Sequence, residues 1–425
     1  MGYFWQVLES LPDKRTGKNT RYGMEDAALS AFSVFFTQSP SFLAYQRAME
    51  GSKGRSNAQS LFGVHQIPSD NHIRDLLDPV TPEHVFPVFE EILQVLEQQG
   101  QLAVLRSIAD TLLIALDGTE YFSSSQIHCS ACSTRTLKSG ETHYFHSVIT
   151  PVIVCPGQTY VIPLVPEFIV PQDGHDKQDC ENAAAKRWLS QHGQRFSPLN
   201  VTILGDDLYC RHPLCHSLYD QQFNFILVCR QESHPTLYEH LEGIDLPTVT
   251  TTRWTGKVEE TWTYRYLNRV PLKDSDDALL VNWCEVTVSR PDGQVTYKNA
   301  FATNHFLTAH TVAEIVLAGR TRWKVENENN NTLKTKGYNL EHNFGHGKQH
   351  LSSFLATLNI LSLLFHTLLE LLDQKYKFLR AHLPTRKTFF DDLRALTRYI
   401  FFDSWDHLLT FMLQGLELDI PPDTS

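Results

Sequence analysis

The sequence predicts a mixed α/β fold, with a core of buried strands, a β-rich insertion and helical regions at both ends. Three observations predict it. Two apolar runs, LLIALDGTEYF from Leu112 and NVTILGDDLYC from Asn200, end in acidic residues, as buried strands do when they deliver a side chain to a surface. Between about Gly243 and Ala302, Thr, Trp, Tyr and Val alternate in TVTTTRW, EETWTYRYL, LVNWCEVTVSR and QVTYKNAF. On either side, apolar residues recur at helical spacing, in AALSAFSVFF and VFPVFEEILQVLEQQ before the core and from Thr311 to about Gln414 after it.

Taken in order, residues from about Tyr22 to Gln99 read as helical, broken by a basic Gly/Ser loop at Gly51–Asn57. Pro68 and Ser69 precede a short helix near Asp70 that bears Asn71, His72 and Arg74, either a DNA-recognition element or an exposed polar helix. After the strand at Leu112 come a hairpin-like insertion, the strand HSVITPVIVC, and TYVIPLVPEFIV beyond Gly157. A helix over Lys177–His192 and the strands NVTILG and FNFILVC follow. Strands alternating with helices in this way indicate an α/β core. In the β-rich block, Pro291-Asp292-Gly293 forms a hairpin turn. Gly345 and Gly347 make a loop, not a helix, of the segment bearing His342, His346 and His350, and that loop is positioned to touch DNA. The expected divisions are 1–108, helical; 109–242, first part of the core; 243–302, β-rich insertion; 303–370, second part of the core; and 371–425, helical.

The 425 residues are 42% hydrophobic and 11% aromatic, enough for sizeable cores. Met1–Leu11 lacks the features of a secretory leader, and eight cysteines without one suggest thiols or metal ligands in a reducing, cytoplasmic setting. Leu351–Leu372 has the length of a membrane span, but Ser352, Ser353, Asn359, His366 and Glu370 make it a core helix. A net charge of −11 opposes nucleic-acid binding. Locally the balance reverses: residues 1–60 hold seven Lys/Arg against five Asp/Glu, and residues 319–348 hold six against three. Absence of a Gly-rich phosphate loop, a dinucleotide fingerprint, G-x-S-x-G or H-E-x-x-H argues against ATPases, serine hydrolases and zinc proteases.

Asp117 and Asp206 at strand ends, with Glu326 on a later helix, are the set a two-metal phosphoryl-transfer site needs. Carboxylates are hard oxygen ligands that suit Mg²⁺ or Mn²⁺ while leaving positions for water and substrate. Asp207, Glu328 and Glu341 are neighbouring alternatives. Cys129, Cys132, His143 and His146 form a two-thiol, two-imidazole set with spacing suited to structural Zn²⁺. Cys210, His212, Cys215 and His216 form a second cluster, which would either complete that site or simply pack.

LDGTEYFSS around Asp117, ILGDDLY around Asp206, ATN at 302–304 and GRTRWKVENENNNTLK at 319–334 resemble the DDE transposases of bacterial insertion sequences. The likeness is to the group whose third carboxylate lies in a Tyr-Arg-Glu-Lys signature, and it covers about residues 110–370. It implies a ribonuclease H-like core interrupted by the β-rich insertion, metal binding by Asp117, Asp206 and Glu326, and phosphate contacts from Arg322 and Lys334. Arg320, Trp323 and Lys348 are further expected DNA contacts; Trp254, Trp262 and Trp283 either pack within the insertion's own sheet or supply one ring that receives a flipped base. Expected partners are double-stranded DNA carrying terminal inverted repeats and target DNA, engaged by a homodimer without a membrane. A nuclease of the same fold, a catalytically silent domesticated DNA-binding protein and a zinc-stabilised scaffold are the alternatives. Two departures stand out: Gly319 replaces the signature tyrosine, and seven residues rather than six separate Glu326 from Lys334, which would rotate the lysine about a regular helix.

Overall fold

The computed structural model describes residues 2–16, 21–49, 56–171 and 180–419. Most of the expected basic loop at Gly51–Asn57, and the start of the helix expected at Lys177, lie outside the described residues.

Strand β1 (Leu112–Ala115) is wholly buried, but the apolar run it opens does not stay in one sheet. The chain bends at Asp117, and β2 (Gly118–Ser124) continues in a second sheet beside β3 (Ser133–Thr136) and β4 (Thr142–Ile149). The returning strand bends at the same level. Pro151, which has no N–H for a ladder, separates β4 from β5 (Val152–Val154), and β5 pairs with β1. The Thr150 N–H donates to the Asp117 carbonyl at 3.0 Å across the bend. A two-stranded ribbon therefore passes from one sheet to the other with Asp117 at its corner.

Strand β6 (Ile162–Pro163) extends the first sheet beyond β5, and β7 (Glu167–Ile169) joins β4 in the second. Strands β8 (Val201–Gly205) and β9 (Asn224–Val228) run parallel to β1 on its other side. The β-rich block forms an antiparallel meander of β10 (Thr248–Trp254), β11 (Glu259–Pro271), β12 (Leu280–Ser289) and β13 (Val295–Thr303). Strand β13 pairs with β9, so the block is no separate layer: one nine-stranded sheet runs β10-β11-β12-β13-β9-β8-β1-β5-β6. Asn304 fastens this junction, accepting from the Phe225 N–H at 2.9 Å and donating to the Phe223 carbonyl at 3.0 Å.

Among the described residues, the α-helices α1 (Gly2–Glu9), α2 (Met24–Phe36), α3 (Phe42–Met49), α4 (Asn57–Phe62), α5 (Asp70–Leu77) and α6 (Phe86–Gln98) precede the sheet. Among the strands lie α7 (Glu181–Phe196), α8 (His212–Asp220) and α9 (Pro235–Leu241). After β13 come α10 (Val312–Arg320), a π-helical turn (Val325–Asn330), α11 (Asn331–Thr335), α12 (Leu351–Leu372), α13 (Gln374–His382), α14 (Arg386–Tyr399) and α15 (Trp405–Gly415).

Helix α12 is long and apolar enough to cross a membrane, with a mean hydropathy of 1.7, yet 72% of that apolar window is buried within the fold. Its Phe365 meets Phe32 of α2 edge-on at 5.3 Å, and Phe32 meets Phe4 of α1 at 4.8 Å. Each such ring contributes roughly 1.5–3 kcal/mol by leaving water. Polar groups of α12 are used inside: Asn359 donates to the Tyr338 carbonyl at 2.9 Å, and His366 lies 2.6 Å from the Tyr338 hydroxyl. The terminal helical regions close on each other around α12. Asn57 donates to the carbonyls of Thr397 and Ile400 at 2.7 and 2.9 Å, and Arg394 donates to those of Thr37 and Gln38 at 2.8 Å.

Candidate functional site: a carboxylate centre and a thiol–imidazole cluster

Because β1 and β8 are parallel neighbours in the middle of the sheet, the residues just beyond their C-terminal ends, Asp117 and Asp206, emerge side by side. Local contacts separate Asp206 from Asp207. Asp206 uses one oxygen to accept from the Leu208 N–H at 2.8 Å, while Asp207 turns to the Arg230 N–H at 2.7 Å and stands 3.5 Å from His234. Glu326 completes the set from the π-helical turn. The mostly buried Asp117 carboxyl is pushed up to about 7, first by burial, then by the charges of Glu326, Glu181 and Asp206, with Arg322 opposing. Asp117 also accepts from Asn330 at 2.9 Å, and Asn330 in turn accepts from Thr150 at 2.6 Å. Arg322 sits 2.6 Å from Glu326 and offsets its charge.

Two members of this centre were not foreseen. Glu181, in the first turn of α7, accepts from the Tyr209 hydroxyl at 3.0 Å, and burial raises its carboxyl. It packs so close to Gly118 that a Cβ there would meet its carboxylate. Asn330 is the other, hidden in a run of four asparagines and glutamates where no position looks special.

The π-helical turn accounts for the displaced lysine. A π-turn closes on i+5 instead of i+4 and absorbs one extra residue, the length difference noted between Glu326 and Lys334. Lys334 pairs with Glu341 at 2.8 Å, which occupies that alternative carboxylate. Glu328 lines a cavity of about 1050 Å³ among α3, α11, α12, α13 and α14, which none of Asp117, Asp206 and Glu326 lines. That cavity is lined by six basic residues, Lys336, Arg380, Arg386, Lys387, Arg394 and Arg398, against Glu328, Glu370 and Asp391.

Other expected DNA contacts divide. Trp323 is 44% exposed and Lys348 is exposed, so both are open to a partner. Arg320 is held over the rings of Trp262 and Tyr297 at 4.6 and 4.3 Å, a packing role. Trp283 is buried against Tyr238 and Trp262 is nearly so, whereas Trp254 is 70% exposed at the end of β10. In α5, Asn71 and His72 are exposed, but Arg74 donates to the Phe344 carbonyl at 3.0 Å and supports the glycine- and histidine-rich loop.

The thiol–imidazole cluster differs from expectation by one ligand. Cys129, Cys132, His146 and His346 bring their ligating atoms within 4.8 Å of one another and could hold a metal ion. His143 is not among them: it bonds to the Ser123 hydroxyl at 2.9 Å on the other face of β4. The reason is strand parity, since residues three apart on a strand point to opposite faces. His346 takes its place from the loop before α12, and its Nδ1 donates to the Gly347 carbonyl at 2.9 Å, which turns Nε2 toward the thiols. Burial alone would raise the Cys129 thiol, but hydrogen bonds from His146 and His346 outweigh it and bring it down to about 5. His342 and His350 are not part of the cluster.

The second expected cluster does not join the first. Cys210 and Cys215 are buried together, while His212 faces the Asp277 carbonyl at 3.2 Å and His216 pairs with Asp220 at 2.8 Å. Cys210 instead groups with Cys229 and His234, a second set that could hold an ion. Compared with known proteins, the chain matches no protein-family model and no curated protein.

Proposed function

We propose that the chain is a DDE-type DNA transposase, cytoplasmic in a bacterium, that cleaves phosphodiester bonds at transposon ends and joins the freed 3′-hydroxyl to target DNA. The observation that carries the reading is the convergence of Asp206 and Glu326 on Asp117, from segments about 90 and 120 residues apart in the chain, both within electrostatic reach of Asp117 where β1 and β8 end. The sheet supports it: β6-β5-β1-β8-β9 has three antiparallel strands followed by two parallel ones, the order expected of a ribonuclease H-like core. The resemblance around the same three residues points the same way.

The donor set suits hard divalent ions. A buried aspartate whose carboxyl sits near 7, with three like charges acting on it, gains most from a cation among them. When bound, a pair of Mg²⁺ or Mn²⁺ ions supplies activation of the attacking oxygen and stabilisation of the leaving one. The protein's part is to hold the ligands. Asn330 orients Asp117, the Leu208 amide orients Asp206, and Arg322 steadies Glu326 until a phosphate offers it a better partner. The basic cavity beside the Glu326 helix is the path we assign to the DNA backbone, with the protein acting as a dimer on paired inverted repeats. The cofactor of this reading is Mg²⁺ or Mn²⁺ at the carboxylates.

The test is cleavage of a supercoiled plasmid carrying the element's ends with Mg²⁺, comparing wild type, Glu326→Gln and Asp117→Asn. Boundary cleavage by wild type alone, with both variants still binding DNA, supports the mechanism. Cleavage without strand transfer makes the protein a nuclease, and absence of any cleavage by wild type overturns the enzymatic reading.

A further inference from the structure

We infer that Cys129, Cys132, His146 and His346 form a closed, tetrahedral Zn²⁺ site that clasps the β2–β4 hairpin to the loop leading into α12. The site itself stands without the transposase reading; only its consequence for the carboxylates rests on that reading.

The spacing of the ligand atoms is the first argument. A tetrahedron built with Zn–S of about 2.3 Å and Zn–N of about 2.0–2.1 Å has edges of roughly 3.8 Å between sulfurs, 3.5 Å between sulfur and nitrogen and 3.3 Å between nitrogens. The two sulfurs here are 3.9 Å apart, Cys129 Sγ is 3.7 Å from His146 Nε2, and Cys132 Sγ is 3.4 Å from Nε2 of both histidines. The two Nε2 atoms are 3.1 Å apart. Two imidazole nitrogens this close, beside two thiols, bring lone pairs together with few protons to bridge them, and a cation at the centre satisfies all four. Mixed thiolate and imidazole ligands select zinc over Mg²⁺. Four protein ligands leave no position for water or substrate, so the ion would be structural.

The surroundings are built to hold the ligands still. His146 stacks on Tyr121 at 5.6 Å and His346 packs on Phe122 at 4.4 Å, which keeps the site dry. The loop that carries His346 is pinned from behind. Asp78, just beyond α5, accepts from the N–H groups of Lys348, Gln349 and Leu351 at 3.0–3.2 Å and so caps α12. Gly347 is required there: its φ is +70°, and a Cβ would run into the Asp78 carboxylate and Leu351. With His346 fixed in this way, an ion joins residues 200 apart in the chain. One side of the joint is the ribbon whose corner is Asp117, and the other follows directly from the helix that presents Glu326.

The experiment is metal analysis of the purified full-length protein, with Co²⁺ exchanged for the native ion. The expected result is about one zinc per chain, and visible bands of tetrahedral Co²⁺ with two sulfur ligands. His346→Ala should weaken binding ~10²-fold or more, while His143→Ala should retain the ion. If His346→Ala does not fold, His346→Cys serves instead, keeping one ion and gaining a third sulfur in the cobalt spectrum. Wild type that binds no zinc at micromolar concentrations overturns the inference, as does loss of the ion from His143→Ala with retention in His346→Ala. Zinc present without DNA cleavage defeats the transposase reading alone; cleavage without zinc defeats this one alone.

Discussion

The carboxylate centre and the thiol–imidazole cluster flank the same ribbon, yet they are built on opposite principles. Where β1 and β8 end, burial first and then the charges of Glu326, Glu181 and Asp206, only partly offset by Arg322, push the Asp117 carboxyl up to about 7. Where the hairpin meets the pinned loop, four ligands are packed among Tyr121 and Phe122 at distances that already fit one ion. An open set of hard ligands keeps room for substrate, and strain among its charges is the cost of that room. A closed set of soft ligands leaves none and rigidifies what it joins. On the two proposals made above, the contrast separates a place for chemistry from a place for architecture within a single bend of the chain.

The largest effect that would break the contrast is on Asp206. Asp206→Asn should lower cleavage by about 10³-fold or more with stability retained, whereas Asp207→Asn should leave most activity, since Asp207 serves the Arg230 amide and His234. Equal losses from both in a single-turnover cleavage assay would erase the distinction drawn between them. Next comes Trp283→Ala, expected to lose about 3–5 kcal/mol of stability by emptying a buried site, set against Trp254→Ala, expected to leave the denaturation midpoint unchanged. If Trp254 receives a base, its loss should weaken binding to transposon-end DNA by about 1–3 kcal/mol, read by titration at fixed salt. Gly347→Ala should destabilise the protein by about 2–4 kcal/mol and loosen the metal cluster while sparing the carboxylates, checked by thermal melting and zinc content.

Proton linkage gives a smaller and more specific effect. The native Asp117 carboxyl titrates near 7 and the unfolded one near its ordinary value of 3.8. Between those values the native state binds more protons than the unfolded one, so without divalent ions Asp117 should reduce stability as pH rises from about 4 to 7. Mg²⁺ competes with that proton. Its stabilising shift of the melting temperature should therefore grow across the same window and level off above about pH 7, and Asp117→Asn should flatten the growth. The smallest expected change is from Asn330→Ala. Losing the amide that donates to Asp117 should move the alkaline-rising limb of the cleavage profile to higher pH by less than about one unit.

Much of this was legible in the chain. Buried strands, the meander and the apolar α12 follow from local periodicity and composition, because burial of apolar faces obeys the period of the element that carries them. The acidic residues at the ends of β1 and β8 were legible for the same reason, as was the extra residue before Lys334, which the π-turn absorbs. Strand parity alone would have removed His143 from the metal set. What the sequence could not supply was its replacement: His346 is fixed by Asp78 and Arg74, contacts some 270 residues distant in the chain. Glu181 and Asn330 likewise gain meaning only where β1, β8, α7 and the π-turn meet. Local order is decided by neighbours along the chain, and residue type reveals it. A site is decided by which distant segments the sheet and the helical body bring together, and only the tertiary structure contains that information.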